Sequence, residues 1–342
     1  MTQAYTQEPG QLGDAPRRSD SRIGRLLDRL RDDRGIWRRG LVLAAIAILL
    51  ALVMIFHADI PNRVGNLGSL LETFLPWLGL FLPVLLVLAV VRRSASAVLA
   101  LVLPVAVWLN LFGGLMFFDK SGSGGGELTV VTHNVNAENG DPTGTAKDVA
   151  ASGADVVALE ELTSAAVPTY ERALAGTYRY HTVQGTVGLW SKYPLSGTKP
   201  VDIKLGWTRA LRTAVATPRG EVGVYVAHLP SVRVKFNAGF TAGQRDASAE
   251  ALGQAIAQEP LRKVILLGDL NGTMNDRALA PVTSQMRSAQ GAAGDGFGFS
   301  WPASFPMARI DQIMVRGVDP VSAWALPRTG SDHLPLAASV DY

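Results

Sequence analysis

Cysteine is absent from the chain. Disulfides, thiolate nucleophiles and thiolate metal sites are therefore excluded. Charge is also scarce: only 18% of the 342 residues are Asp, Glu, Lys or Arg, below the roughly 25% of an ordinary soluble domain. There are five histidines, no two of them at the His-x-x-x-His spacing of a zinc helix. The sequence pI is near 9.2, but the basic excess is local. After Phe118, 20 Lys and Arg stand against 21 Asp and Glu, so that part lacks the basic footprint of a general nucleic-acid binder.

What the chain has instead is long apolar runs. Between Leu41 and Phe118 the charged residues are Asp59, Arg63, Glu72 and the pair Arg92–Arg93. A membrane-crossing helix needs about 20 mostly apolar residues, and the pattern predicts three, over 36–57, 70–91 and 95–118. The spans are read as an anchor without a buried acid or base that would mark an ion pathway. Pro76, Pro83, Pro104 and Gly113–Gly114 fall within them and are tolerated where neighbours satisfy the freed carbonyls. Trp37, Trp77 and Trp108 are candidates for interface anchoring. Residues 1–40 carry nine Arg and six acids. With Arg92–Arg93 after the second span, the positive-inside rule puts the N-terminus in the cytoplasm. Three spans then put everything after Phe118 outside a multi-pass cell-membrane anchor.

Residues 1–35 read as an Arg-rich, partly disordered cytoplasmic tail, 36–118 as the anchor and 119–126 as a short Gly/Ser linker. Residues 127–342 are long enough for one sizeable core. Their periodicity predicts strands over 127–135, 155–160, 178–183, 186–191, 210–217, 221–229, 263–268, 310–315, 321–326 and 336–341. Helices are predicted over 143–152, 163–175, 240–258 and near 275–286. Many strands and few helices predict an α/β fold in four layers: a two-sheet sandwich of mostly antiparallel strands with helices outside.

Polar residues gather where these strands end. Asn134 closes the first strand, Glu160–Glu161 the second and His228 follows Val226–Ala227. Asp269 and Asn271 follow Val264–Leu267, Asp311 opens a late strand, and Asp332–His333 precede the last. Hard oxygen donors of this kind suit Mg²⁺ or Mn²⁺, which neutralises charge on a phosphoryl group. Histidine supplies proton transfer. Arg212, Arg233, Lys235 and Arg245 are candidates for holding an anionic substrate. Trp301, Phe305 and Met307 are candidates for an apolar groove, although core packing explains them as well. His181 and His57 are read as structural or interfacial.

Five short motifs in order carry a resemblance: Asn134 after the first strand, Leu159–Glu160–Glu161, His228–Leu229, Gly268–Asp269–Leu270–Asn271 and Ser331–Asp332–His333–Leu334–Pro335. Together with Arg309–Ile310–Asp311, they make residues 127–342 similar to the endonuclease/exonuclease/phosphatase superfamily. The resemblance implies that Asn134 and Glu161, with Asp332, lie at a divalent metal and that Asp269 orients or deprotonates water. It implies that Asn271 binds a phosphoryl oxygen, that Asp311 fixes the tautomer of His333 at the phosphate, and that His228 assists the leaving group. Glu160 replaces a common Gln, adding negative charge beside the metal ligand, and Leu270 replaces a common Phe.

The superfamily acts on many phosphoesters. The anchor resembles its membrane-bound bacterial branch, which includes a teicoplanin-resistance protein. That implies a lipid phosphate partner in the cell envelope, undecaprenyl diphosphate above all, with nucleic acid not expected and no obligate protein partner evident. The alternatives are an extracellular phosphodiesterase acting on phospholipid head groups or DNA, and a non-catalytic membrane scaffold or sensor.

Overall fold

The computed structural model describes residues 35–62, 66–122, 125–231 and 239–342. The predicted tail therefore lies almost wholly outside the described residues, as do Arg233 and Lys235.

The apolar segment forms α1 (Leu41–Ile55), α2 (Leu67–Phe74), a 3₁₀ stretch (Leu75–Leu80), α3 (Phe81–Val91) and α4 (Ala95–Met116). The run Leu67–Val91 and α4 are each long and apolar enough to cross a bilayer. The first predicted span is corrected: α1 has 15 residues, about 22 Å at 1.5 Å per residue, against a hydrocarbon core of about 30 Å. Phe56 ends its α-helical geometry and a short 3₁₀ turn follows. α1 lies alongside α4 in the same direction, since Gly40 abuts Ser94 while Met54 packs with Trp108 and Phe112. Ser94 caps α4 by accepting the Ala97 N–H at 3.1 Å, satisfying one of the helix's orphan donors. The Ala95 N–H donates to the Ile36 carbonyl at 3.0 Å. Arg38, Arg39, Arg92 and Arg93 thus share one end of the bundle, and the rest of the chain, from β1 onward, sits on the other.

A second correction concerns Glu72. It lies within the run read as free of buried ionisable groups, yet it is fully buried, 3.6 Å from His57 Nδ1.

The remainder contains β1 (Leu128–Asn134), α5 (Pro142–Ala151), β2 (Val156–Glu160), α6 (Val167–Leu174), β3 (Tyr180–Gln184), β4 (Val187–Ser191), β5 (Leu195–Pro200) and β6 (Ala210–Thr217). It continues through β7 (Gly220–Ala227), α7 (Gly239–Ala257), β8 (Val264–Asp269), α8 (Ala280–Thr283), β9 (Arg287–Ser288), α9 (Ala289–Ala293), β10 (Asp311–Arg316), β11 (Asp319–Ala325) and β12 (Leu336–Asp341). Two six-stranded sheets run β11-β12-β1-β2-β4-β3 and β5-β6-β7-β8-β10-β9. Among the described strands, β1/β2 and β7/β8 are the parallel pairs.

Strand alternation builds the layers. Val130, Val156, Val224 and Ile265 meet between the sheets. Val131, Val157 and Trp190 point outward on the first sheet, in the cluster that carries α5 and α6 residues. Tyr225, Leu266 and Met314 do the same on the second, with α7 residues. Each fully buried aliphatic side chain contributes roughly 1.5–3 kcal/mol. The predicted sandwich with outer helices is thus observed.

The two halves touch directly. The Trp77 indole N–H donates to the Met307 carbonyl at 2.7 Å, and its ring stacks on Phe299 with centroids 5.8 Å apart. The Thr273 hydroxyl donates to the Glu72 carbonyl at 3.1 Å. Of the predicted linker, residues 123 and 124 lie outside the described set, while the Gly122 N–H donates to the Val321 carbonyl at 2.6 Å.

Candidate active site

The strand directions gather the site. β1 and β2 are parallel, so Asn134 and Glu160 end in register. β7 and β8 are parallel, so His228 and Asp269 leave the second sheet at the same edge. β10 runs antiparallel to β8 and begins there, with Asp311 opposite Asp269. β12 also begins at this edge, which brings in the preceding Ser331–His333. Open α/β architectures bind ligands at such carboxyl strand ends.

Asp269 is fully buried. Its Oδ2 accepts the Asn134 Nδ2–H at 3.0 Å and its Oδ1 accepts the Asn271 N–H at 2.9 Å. Burial first, and then the nearby Asp311, raise its pKa to about 7. His333 Nδ1 lies 2.8 Å from Asp311 Oδ2, which also accepts the Ser300 hydroxyl at 2.6 Å. Burial works against the charged form of His333, but Asp311 overrides it and lifts the imidazole to about 10. Burial likewise opposes the Asp311 carboxylate, yet His333 and the bond from Ser300 hold it below its usual value.

His228 behaves oppositely. Burial first, then Arg209 and His333, push its pKa well below the ordinary range, so it is neutral and its Nε2 accepts from the Arg209 guanidinium. Glu161 sits at φ 60° immediately after β2. Its Oε2 accepts the Ala137 N–H at 3.1 Å and its Oε1 stands 3.6 Å from His228 Nε2. The Asn134 Oδ1 is engaged by the Asn136 N–H at 3.0 Å.

Asp269, Asp311 and His333 offer ligand atoms within 4.8 Å of one another. The donor set suits a hard divalent cation of the Mg²⁺ or Mn²⁺ class. The Asp311 Oδ1 is buried with no hydrogen-bond partner, and Glu161, at 32% side-chain exposure, presents a further carboxylate to the cavity. Asp332 is exposed and lines the same cavity.

Two expected substrate contacts lie elsewhere. The guanidinium of Arg212 pairs with Glu259 at 2.7 and 2.8 Å. Arg245 is buried against Asp276 at 2.7 Å and Ser69 at 3.0 Å. The side chains of a strand alternate between faces, and it is Arg209, three residues before Arg212, that meets the site. Arg209 packs over Trp207 at 5.1 Å. Its position beside β6, antiparallel to the strand that ends at His228, was the signal that could have found it.

Glu160 also differs from expectation. It is fully buried, Thr132 Oγ1 donates to its Oε1 at 2.9 Å, and burial raises its pKa well above the usual range. Burial thus favours its protonated form beside Glu161. Trp301 lines the cavity, Phe305 is exposed at 64%, and the Met307 carbonyl serves Trp77. His181 is exposed, 3.3 Å from Glu171.

The cavity lined by Glu161, Arg209, His228, Asp269, Asn271 and His333 has a volume of about 920 Å³. Its other wall comes from the anchor: Ser69, Leu70, Thr73 and Phe74 of α2.

A sequence profile described as Endonuclease/Exonuclease/phosphatase family matches residues 131–333. No curated protein sequence matches the chain significantly. Among solved structures, a humanized zebrafish (D. rerio) TDP2 is similar at 19% identity and TM-score 0.53, covering 63% of this chain and 99% of its own. The mannosyl-6-phosphatase Bt3783 of Bacteroides thetaiotaomicron is similar at 16% identity and TM-score 0.53, covering 63% and 100%. Beta toxin of Staphylococcus aureus is similar at 16% identity and TM-score 0.50, covering 62% and 99%. At these identities the likeness is one of fold.

Proposed function

The chain belongs to the endonuclease/exonuclease/phosphatase family and is a metal-dependent phosphoester hydrolase; from that premise we propose that its substrate is a phosphorylated membrane lipid, with undecaprenyl diphosphate the preferred candidate. One observation carries this reading. The catalytic cavity is walled on one side by Glu161, His228, Asp269, Asp332 and His333 and on the other by Leu70 and Phe74 of the membrane-anchor helix. A lipid can lie along α2 with its phosphate among the polar groups, whereas a bulky soluble polymer must clear the anchor first.

A divalent cation, when bound, would supply Lewis-acid stabilisation of the phosphoryl oxygens, and Glu161 with Asp332, both lining the cavity, would hold it. The remaining work falls to side chains. Asp269, with a pKa near neutrality, is suited to take a proton from the attacking water. Asn134 and Asn271 hold its two oxygens in place. His333, charged through Asp311, faces the phosphoryl group and stabilises the developing anion. Arg209 adds a second fixed positive charge beside neutral His228.

The cytoplasmic Arg end and outer-face domain form part of the same proposal. α4 runs from Arg92–Arg93 to the catalytic half, so crossing the bilayer separates them. Arg38 and Arg39 sit at the same end as Arg92 and Arg93, which favours that end facing the cytoplasm. In this cysteine-free chain, a single Cys at exposed position 121 is expected to react with an impermeant reagent on intact cells, while one at position 37, exposed at the Arg end of the bundle, is protected. The reverse pattern would put the domain inside.

The substrate is tested with the full-length protein in detergent, supplied with Mg²⁺ or Mn²⁺ and offered polyprenyl diphosphate, phospholipid or supercoiled DNA separately. Orthophosphate released from the first supports the proposal. Head-group release alone makes the enzyme a phospholipid phosphodiesterase, and nicking of DNA alone sinks the lipid reading.

A further inference from the structure

A second cavity, of about 520 Å³, lies at the seam where α4 meets the catalytic half. Leu111, Phe112 and Leu115 of α4 form part of its wall, with Phe297 and Phe299 opposite. The polar lining has one sign of charge: Lys120, Arg287 and Arg309 are present, and no Asp or Glu.

Arg309 is the deepest of the three. It is buried, and no carboxylate pairs with it among the described residues. Its Nη1 donates to Gln290 Oε1 at 3.2 Å and to the Gly298 carbonyl at 3.0 Å, while its Nε has no partner. Burial lowers its pKa to about 10, still well above neutrality. Gln312, also in the lining, keeps its Oε1 buried without a donor. A buried guanidinium is costly; Asp311 favours its charged form, and the phosphate of a ligand in the cavity would add to that field. Lys120 and Arg287 are less committed. Lys120 Nζ donates to the Gly291 carbonyl at 2.8 Å, and Arg287 pairs with exposed Asp319 at 2.7 Å. An exposed pair of this kind exchanges readily.

The site lies at the end of α4, where a spanning helix would leave the hydrocarbon core. A cavity that is apolar along the spanning helix and cationic at its outer end matches one chemistry. We propose that it binds an anionic phospholipid, its acyl chains along Leu111 and Leu115 and its glycerol-phosphate head group among Lys120, Arg287 and Arg309. Thr73 lines both this cavity and the catalytic one, so the bound lipid braces α2 from behind.

The test uses the full-length protein purified in detergent with an equal mixture of phosphatidylglycerol and phosphatidylcholine, read by native mass spectrometry. One phosphatidylglycerol is expected to remain per chain, favoured over phosphatidylcholine by roughly tenfold or more, as two to three cations at a membrane surface imply. Excess inorganic phosphate should not displace it. Lys120→Gln with Arg287→Gln is expected to lose the preference while still hydrolysing a soluble phosphodiester. Ala292→Trp, at an exposed rim position, should block binding with all three charges intact. Glu161→Ala should retain the lipid. Equal retention of the two lipids overturns the proposal. So do displacement by phosphate, unchanged binding in both cavity variants, or loss of binding in Glu161→Ala, which would place the lipid in the catalytic cavity.

Discussion

His333 is buried and yet holds its proton, because Asp311 stands 2.8 Å from its Nδ1. Remove the Asp311 charge and burial is left to act alone, which favours the neutral imidazole. Asp311→Asn is therefore expected to bring the His333 pKa down from about 10, so that the alkaline limb of the pH–rate profile moves toward neutrality. Activity at pH 8 should fall by roughly 100-fold or more, the usual scale for an electrostatic or proton-transfer group. A profile on a soluble phosphodiester checks this, and an unmoved alkaline limb would remove Asp311 from the role. Glu161→Ala is expected to raise the Mg²⁺ concentration needed for half-activity by about 10–100-fold, measured by metal titration of hydrolysis; unchanged metal dependence would place the cation elsewhere. At this scale the motifs were legible, because backbone-defined strand ends carry single reactive side chains. Arg209 was not, since Arg212 stands nearby with the same chemistry and only the pairing of β6 with β7 says which guanidinium turns to the site. Nor did the letter Glu at position 160 reveal a carboxyl whose burial favours its protonated form.

Elements hold these residues in register, and two contacts show how. Gly268 has φ 148° next to Asp269, and a Cβ there would overlap the Ala227 carbonyl oxygen on the parallel neighbour β7. Gly268→Ala is expected to part β7 from β8 just where His228 and Asp269 leave them, lowering both the thermal midpoint and the activity; a variant with wild-type values for both would show that the strands absorb the change. Arg212 and Glu259 tie β6 to the turn after α7. Burial opposes the Glu259 carboxylate, but the Arg212 bond prevails and depresses its pKa to about 2. A depressed carboxylate contributes stability above its unfolded pKa, near 4.3, and loses it as pH falls through about 2. Arg212→Ala should thus destabilise by roughly 1–3 kcal/mol at pH 7, with the deficit vanishing near pH 2. Unfolding followed by tryptophan fluorescence at the two pH values measures it, and an equal deficit at both would exclude the carboxylate. The long alternating strands were readable because hydrophobic period 2 is a strong local signal. β5 was not, with Ser, Gly, Lys and Pro on a sheet edge, and β9 has only two residues. The first apolar run was readable as a helix but not in length, because helical geometry begins only at Leu41, after Arg38–Arg39 and a left-handed Gly40, and stops at Ile55, just before the polar His57 and Asp59.

The whole molecule is set apart by the wall that its apolar helical segment lends to the cavity. Composition revealed the apolar helices and the motifs revealed residues gathered at the cavity, but no local pattern joins Leu70 and Phe74 to residues beyond position 160; that juxtaposition exists only in three dimensions. It has a consequence separable from the chemistry. Leu70 and Phe74 touch no reacting group, so changing them should leave the hydrolysis of a small soluble phosphoester intact. A lipid substrate is different, because its chain must lie against α2 as its phosphate reaches Asp269 and His333. Losing two apolar contacts of about 1–2 kcal/mol each and introducing charge in their place should lower kcat/KM for polyprenyl diphosphate in mixed micelles by about 10–1000-fold. The direct comparison is the double variant Leu70→Asp with Phe74→Asp in the full-length protein, assayed on both substrates at equal Mg²⁺. Loss on the lipid alone assigns the α2 wall to substrate selection. Equal loss on both substrates would mean that α2 supports the fold of the site, and no loss on either would detach the anchor from the substrate and leave it a tether.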